Sequence, residues 1–190
     1  MSNITEVRWH GRGGQGAKTA ALLLAEAVIE EGKHGQGFPD YGPERTGAPM
    51  RGFTRISDEP ILIHCAVKNP SVVIVLDQTL LDTINVVEGM PDDGILIINT
   101  PSSPQEIRNK LKLEKQKIYT LNANQIALEE IGRPIPNTVM LGALMKATSL
   151  MQTDTLVRGL TKKFSHKFSK KVIDSNISAV KRAYEEVKGE

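Results

Sequence analysis

The chain is poor in cysteine, in aromatic residues and in net charge. One cysteine, Cys65, in 190 residues rules out a disulfide within the chain. It also falls short of a structural zinc site or an iron–sulfur cluster, each of which takes about four ligands. Any electron transfer must therefore take place on another chain. Aromatic residues make up 4% of the sequence, against 39% hydrophobic and 24% charged, which are the proportions of a globular protein. A formal net charge of +2 is too small to argue for nucleic acid or an anionic membrane as partner. No run approaches the roughly 20 apolar residues of a membrane span. The opening residues do not read as a signal peptide, so a cytoplasmic protein is expected. The length suits one domain spanning residues 1–190, large enough to bury a core.

Catalytic signatures are also scarce. The four histidines fall at 10, 34, 64 and 166, without metal-ligand spacing. No Gly-x-Ser-x-Gly elbow is present. The Gly-Asp-Gly of a thiamine diphosphate site is missing, since Asp92-Asp93-Gly94 does not supply it. Cys65 follows an apolar run and is expected to be a buried structural thiol.

What the chain does have is glycine between two patterned segments. Residues 4–9, with Ile4, Val7 and Trp9 apolar, read as a strand. Residues 19–31, with Leu22, Leu23, Ala25, Val28 and Ile29, read as a helix. Between them stands His10-Gly11-Arg12-Gly13-Gly14-Gln15-Gly16-Ala17-Lys18. Strand, glycine turn and helix form the setting in which a helix N-terminus offers free N–H groups to an anion. Gly11, Gly13 and Gly16 fit the dinucleotide spacing, and Gly11 to Lys18 is close to a P-loop. Neither match is complete. A P-loop lysine follows the last glycine directly, whereas Ala17 intervenes here. A dinucleotide site asks for an acid closing the second strand about 20 residues on, and residues 32–38 contain none. NAD and ATP are poorly supported. Two readings stay open: a phosphate-bearing ligand at the turn, or a tight turn packing helix on sheet.

Residues 35–52 hold Gly35, Gly37, Pro39, Gly42, Pro43, Gly47, Pro49 and Gly52, and read as a long shaped loop. Within it, Tyr41, Glu44 and Arg45 could orient a ligand or a partner chain. Residues 53–57 and 61–66 read as a hairpin joined by Asp58-Glu59-Pro60. Residues 72–77 and 95–99 are β-branched or aliphatic runs of the kind buried on both faces of a parallel sheet. Asp77 closes the first, either facing a ligand or capping the next turn. Ser103 and Pro104 open a helix to residue 113, residues 117–121 form a strand, and residues 124–131 a helix. Helices follow at 138–151, 155–164 and 172–187. Arg158, Lys162, Lys163, Lys167, Lys170 and Lys171 form a basic cluster, a solvated face or a docking surface. The expectation is an α/β, Rossmann-like, mainly parallel sheet with an antiparallel hairpin addition and a helical C-terminus.

Several spaced motifs occur in one order: Gly11-x-Gly13-Gly14-Gln15-Gly16, Tyr41-Gly42-Pro43-Glu44-Arg45-Thr46-Gly47, Asn69-Pro70, and Pro136-Asn137-Thr138 with Leu141-Gly142-Ala143-Leu144. The ending, Asn176, Ala179, Val180 and Tyr184, fits as well. Together they resemble the gamma subunits of the 2-oxoacid:ferredoxin oxidoreductases, most closely the pyruvate:ferredoxin oxidoreductase (pyruvate synthase) type. Where many relatives have Arg-Gly-Gly after the glutamate, this chain has Arg45-Thr46-Gly47, so 2-oxoglutarate, 2-oxoisovalerate and indolepyruvate types stay open. The resemblance implies a subunit, non-catalytic alone, of an enzyme that converts pyruvate, CoA and oxidised ferredoxin reversibly to acetyl-CoA and CO2. Thiamine diphosphate and 4Fe–4S clusters would then sit on partner subunits of the alpha, beta and delta types, with ferredoxin met through the complex. It further implies that this chain helps CoA access or assembly. Gly11, Arg12, Gly13, Gly14, Gln15, Gly16 and Lys18 are the candidate cofactor-binding residues, and Tyr41, Glu44 and Arg45 the candidate interface or ligand loop. A free-standing CoA- or nucleotide-binding regulatory domain is the alternative, separated by whether the chain needs partners.

Overall fold

The computed structural model describes residues 4–40 and 47–190. In chain order the elements are β1 (Thr5–Arg12), α1 (Ala17–Ile29), β2 (His34–Asp40), β3 (Pro49–Ser57), β4 (Val72–Val75) and a short 3-10 helix (Gln78–Asp82). Then come β5 (Ile95–Asn99), α2 (Pro104–Leu111), β6 (Lys117–Leu121), α3 (Ala123–Ile131), α4 (Asn137–Ala147), α5 (Thr153–Ser165), α6 (Lys170–Glu186) and β7 (Lys188–Gly189). Among the described residues the seven strands form one sheet, ordered β2-β3-β1-β4-β5-β6-β7. Strands β1, β4, β5 and β6 run parallel. Antiparallel strands extend both edges. The fold class is the expected one.

The parallel strands are aliphatic because both of their faces are covered. On one side Val7, Trp9, Ile74, Leu76 and Ile97 pack with residues of α1, α3, α4, α5 and α6. On the other, Val73, Val75, Leu96 and Ile98 pack with Leu80, Val86 and Ile107. Helix α2 begins as its sequence predicts. Ser103 accepts from the Glu106 backbone and Glu106 answers to Ser103, with Pro104 in the first turn.

The structure corrects the reading of residues 35–52. Most of that stretch is not loop but β2 and the first part of β3, paired with each other along seven positions from His34↔Ser57 to Asp40↔Arg51. Its glycines serve proximity. A Cβ at Gly35 would lie 2.1 Å from the Ala25 carbonyl oxygen, one at Gly37 2.9 Å from that of Ala21, and one at Gly52 3.2 Å from that of Ala17. Alternation along a strand puts these glycines on the face beneath α1, whose own contact residues include Ala17, Ala21 and Ala25. Bare backbone therefore meets an alanine-rich helix at close range.

The antiparallel hairpin exists, but as β2–β3 rather than residues 53–57 with 61–66. The second of these segments forms no strand. Its backbone carbonyls at Ile63 and Cys65 accept instead from the guanidinium of Arg55, at 3.3 and 2.7 Å. Leu62 is left 84% exposed, and Cys65, expected to be buried, is exposed. Edge strand β7 had no sequence signal: two residues, Lys188 and Gly189, pair with Thr120 and Tyr119.

Gly35→Ala is expected to destabilise the chain by about 3 kcal/mol, because the backbone of α1 would have to move. Gly159→Ala, where a Cβ meets the Ala27 side chain at 3.3 Å, is expected to stay within about 1 kcal/mol of the parent, helped by helix propensity. Paired denaturation curves measure both. Equal stability of Gly35→Ala and the parent would remove the close-approach explanation.

Candidate functional site

The glycine turn sits where the parallel strands end. Strand β1 runs into it as far as Arg12, three residues beyond the predicted strand, and α1 starts at Ala17. Gly14 and Gly16 have φ of +99° and +83°, backbone that favours glycine. Gly16 is doubly constrained, since a Cβ there would stand 2.5 Å from the side-chain nitrogen of Asn137 at the start of α4. Gly14 is exposed, and no atom of the described residues lies within 4 Å of where a Cβ would be, so the apex of the turn is open among them.

Much of the polar capacity around the turn is spent on holding it. Gln15 reaches both ways: its carbonyl accepts from the Arg12 N–H at 2.7 Å, and its amide donates to Asp77 at 2.8 Å. The Gly13 N–H donates to Ala48 O at 3.0 Å. Arg12 donates to the Thr79 hydroxyl and to Gly47 O, and pairs with Asp77 at 3.2 Å. Of the two sequence readings of Asp77, the structure shows the cap. It caps the 3-10 helix, accepting from the Thr79 N–H at 2.9 Å, and it anchors the glycine turn. Burial pushes its carboxyl up, but hydrogen bonds from Thr79 and Gln15 and the nearby Arg12 charge outweigh that, so its pKa falls below the usual value. Lys18 is exposed in the first turn of α1.

The structure thus joins the glycine turn to Gly47 and Ala48. Tyr41, Glu44 and Arg45 lie outside the described residues, but the flanks of that stretch are fixed. Asp40 ends β2 and pairs with Arg51 at 2.6 Å, while Gly47 and Ala48 are bonded to Arg12 and Gly13. The contributions of Thr79 and Asn137 to the turn were not legible from spacing. The dyad Asp77-x-Thr79 is a local capping signal that could have pointed to the first.

Behind β1 lies a group that sequence reasoning left as an isolated histidine. Arg8 and His10 are each 2% exposed. Arg8 Nε donates to His10 Nε2 at 3.0 Å, and its Nη2 to the carbonyls of Val86 and Glu88 at 3.0 and 2.6 Å. Burial first, then the Arg8 and Arg51 charges, bring the His10 pKa from 6.5 down to about 3 against a weaker pull from the Val86 backbone. The imidazole is neutral at physiological pH. A second buried guanidinium, Arg55, pairs with Glu6 at 2.8 Å and holds the irregular segment at 63–65. The basic cluster is partly neutralised from α1 and its C-cap: Lys163 pairs with Glu26 and Lys162 with Glu30, both at 2.6 Å. Among the described residues no three of His, Cys, Asp and Glu gather as a metal site, and no helix is long and apolar enough to cross a membrane.

The depressed pKa of Asp77 fixes a sign. The stability it contributes is complete above its unfolded pKa, near 3.8, and is lost as pH falls through the lower folded value. Asp77→Asn is expected to cost about 1–2 kcal/mol at neutral pH, with the gap to the parent closing below about pH 4. Urea unfolding at several pH values reads this; a gap independent of pH would contradict it.

With this geometry in hand, comparison with known proteins is specific. The model of the pyruvate ferredoxin/flavodoxin oxidoreductase family matches residues 6–186. The chain is 51% identical over 183 residues to pyruvate synthase subunit PorC of Thermotoga maritima, covering 96% of this chain and 94% of that one. It is 47% identical over 182 residues to the common gamma subunit of the pyruvate/ketoisovalerate oxidoreductases of Pyrococcus furiosus, covering 96% of each. The crystal structure of the Thermotoga maritima PorC subunit superimposes with a TM-score of 0.87 at 49% identity, over 98% of both chains. At 23% identity, 2-oxoglutarate:ferredoxin oxidoreductase from Magnetococcus marinus, solved with 2-oxoglutarate, coenzyme A and succinyl-CoA bound, shares the fold with a TM-score of 0.72 across 30% of its chain. The chain belongs to the pyruvate ferredoxin/flavodoxin oxidoreductase family, among its gamma-type subunits.

Proposed function

We propose that this chain is the gamma subunit of a cytoplasmic enzyme that oxidatively decarboxylates pyruvate, forms acetyl-CoA and passes electrons to ferredoxin. The observation that carries this reading is the near full-length match to a pyruvate synthase subunit at 51% identity. Thiamine diphosphate and 4Fe–4S clusters do not fit this chain. A lone cysteine cannot ligate such a cluster, and the Gly-Asp-Gly pattern is missing. The reading therefore places both groups on alpha, beta and delta-type partners. The Pyrococcus furiosus relative is named as common to pyruvate and ketoisovalerate enzymes; by that analogy, selection of the oxoacid falls to the partners too.

Within the complex, the glycine turn is proposed to meet coenzyme A. Gly11, Gly13, Gly14 and Gly16 keep side chains away from the carboxyl end of the sheet, where open α/β folds take ligands. The open apex at Gly14 and the positive residues Arg12 and Lys18 suit the CoA phosphates, with Gln15 holding the turn in shape. The structure of a related enzyme with coenzyme A bound supports CoA as ligand of the assembly. Tyr41, Glu44 and Arg45 are proposed to complete this end, toward CoA or a neighbouring subunit.

In the assembled enzyme, Arg12→Ala together with Lys18→Ala is expected to raise the KM for CoA about tenfold, in line with one or two lost charge-assisted contacts, and to leave the KM for pyruvate unchanged. An unchanged KM for CoA would leave the turn as packing alone. Glu44→Ala and Arg45→Ala are expected to weaken recovery of the complete complex on gel filtration; normal assembly of both would remove them from the interface.

A further inference from the structure

We propose that the cavity formed by β1, β3 and residues 84–88 binds a small monocarboxylate, held by the ring N–H of His10 and the charge of Arg51. The cavity measures about 330 Å³ and is lined by His10, Asp40, Pro49, Met50, Arg51, Ile84, Asn85 and Glu88. It lies behind β1, on the face opposite Trp9 and α1, because successive side chains of a strand point to opposite faces. This inference does not depend on the glycine turn binding CoA.

The carrying observation is an unanswered donor. His10 is 2% exposed, and Arg8 Nε donates to its Nε2. A guanidinium cannot accept, so Nε2 must be the bare nitrogen and Nδ1 must carry the proton. That Nδ1 is buried with no acceptor in hydrogen-bond geometry; the Val86 carbonyl, whose pull on the ring is weak, already accepts from Arg8. Buried N–H groups are nearly always paired, and one left open on the wall of a cavity asks for an acceptor oxygen. A carboxylate supplies one.

Charge and size narrow the ligand. Arg8 lies directly behind the ring, and Arg51 lines the cavity, so an anion is favoured over a neutral carbonyl. Among the described residues two acids face the same space: Asp40, engaged by Arg51 at 2.6 Å, and Glu88. A phosphate or dicarboxylate would meet their repulsion, whereas a single carboxylate would not. Pro49 and Ile84 give the remaining wall an apolar surface for a short alkyl group. The volume stands at the low end of ligand pockets, which run from roughly 300 to 1,000 Å³. Asn85 adds a second polar contact.

The test uses the full chain with its histidines labelled with nitrogen-15, titrated with sodium acetate at constant ionic strength. The Nδ1–H resonance of His10 is expected to shift saturably, with a Kd in the millimolar range set by about one strong contact. Inorganic phosphate should shift it at least roughly fivefold more weakly. Arg51→Gln should weaken acetate binding by about fivefold or more, while Lys171→Gln leaves it unchanged. Because the ring stays neutral, affinity should be flat between about pH 6 and 8. His10→Phe, followed through the Asn85 amide, should abolish saturation. If that variant does not fold, Arg51→Gln decides alone. The proposal is overturned by a resonance that acetate does not move, by phosphate binding as tightly as acetate, or by unchanged affinity in Arg51→Gln. It is also overturned if partner subunits move the resonance and suppress the acetate response, which would assign the donor to an acceptor on a partner chain.

Discussion

The structure depends on how closely α1 approaches the sheet. Backbone-to-backbone contact leaves no room for a Cβ at Gly35 or Gly37 over the carbonyls of Ala25 and Ala21. Such contact maximises dispersion per residue and tolerates little change. It also fixes the helix axis relative to β1, and hence where the first turn of α1 emerges. The glycine turn is the covalent link between these two elements. Its shape, held by Gln15, Arg12 and Asp77, follows from where α1 is seated. Asn137 completes the arrangement by bringing the start of α4 against Gly16.

The parallel centre was legible because burial on both faces writes itself as continuous aliphatic runs. Residues 95–99 and 117–121 were placed to the residue, and the capping of α2 followed from Ser103 and Pro104. The misreading of residues 35–52 has a physical cause. Glycine signals turns when it supplies unusual dihedrals, but here Gly35, Gly37 and Gly52 are extended residues whose missing side chain is the point. Local composition cannot tell these uses apart, because the reason lies in a helix ten or more residues away. Residues 61–66 failed in the opposite sense: their apolar run suggests pairing, yet Arg55 captures two of their carbonyls. A side chain took the place of a neighbouring strand, and Cys65 went to the surface with it.

At the candidate site, the sequence made the turn visible and left its wiring hidden. Asp77 was recognisable as either cap or ligand-facing acid. That it also anchors Gln15 and Arg12 depends on the register between β1 and β4. His10 carried no signal at all, since its character comes from Arg8 two residues earlier on the same face and from burial that only the fold creates. The chain thus offers prearranged polar surfaces at one end of its sheet while carrying a single cysteine and no Gly-Asp-Gly pattern. That combination suits the proposed reading, in which the redox centre lies on other chains.

Purification of this chain at native abundance from its own cells, under nitrogen, tests that view most directly. The expected result is co-purification with larger chains carrying thiamine diphosphate and iron–sulfur absorbance, and ferredoxin reduction that requires both pyruvate and CoA. A chain that emerges alone and monomeric, with no such activity in its fractions, would contradict it.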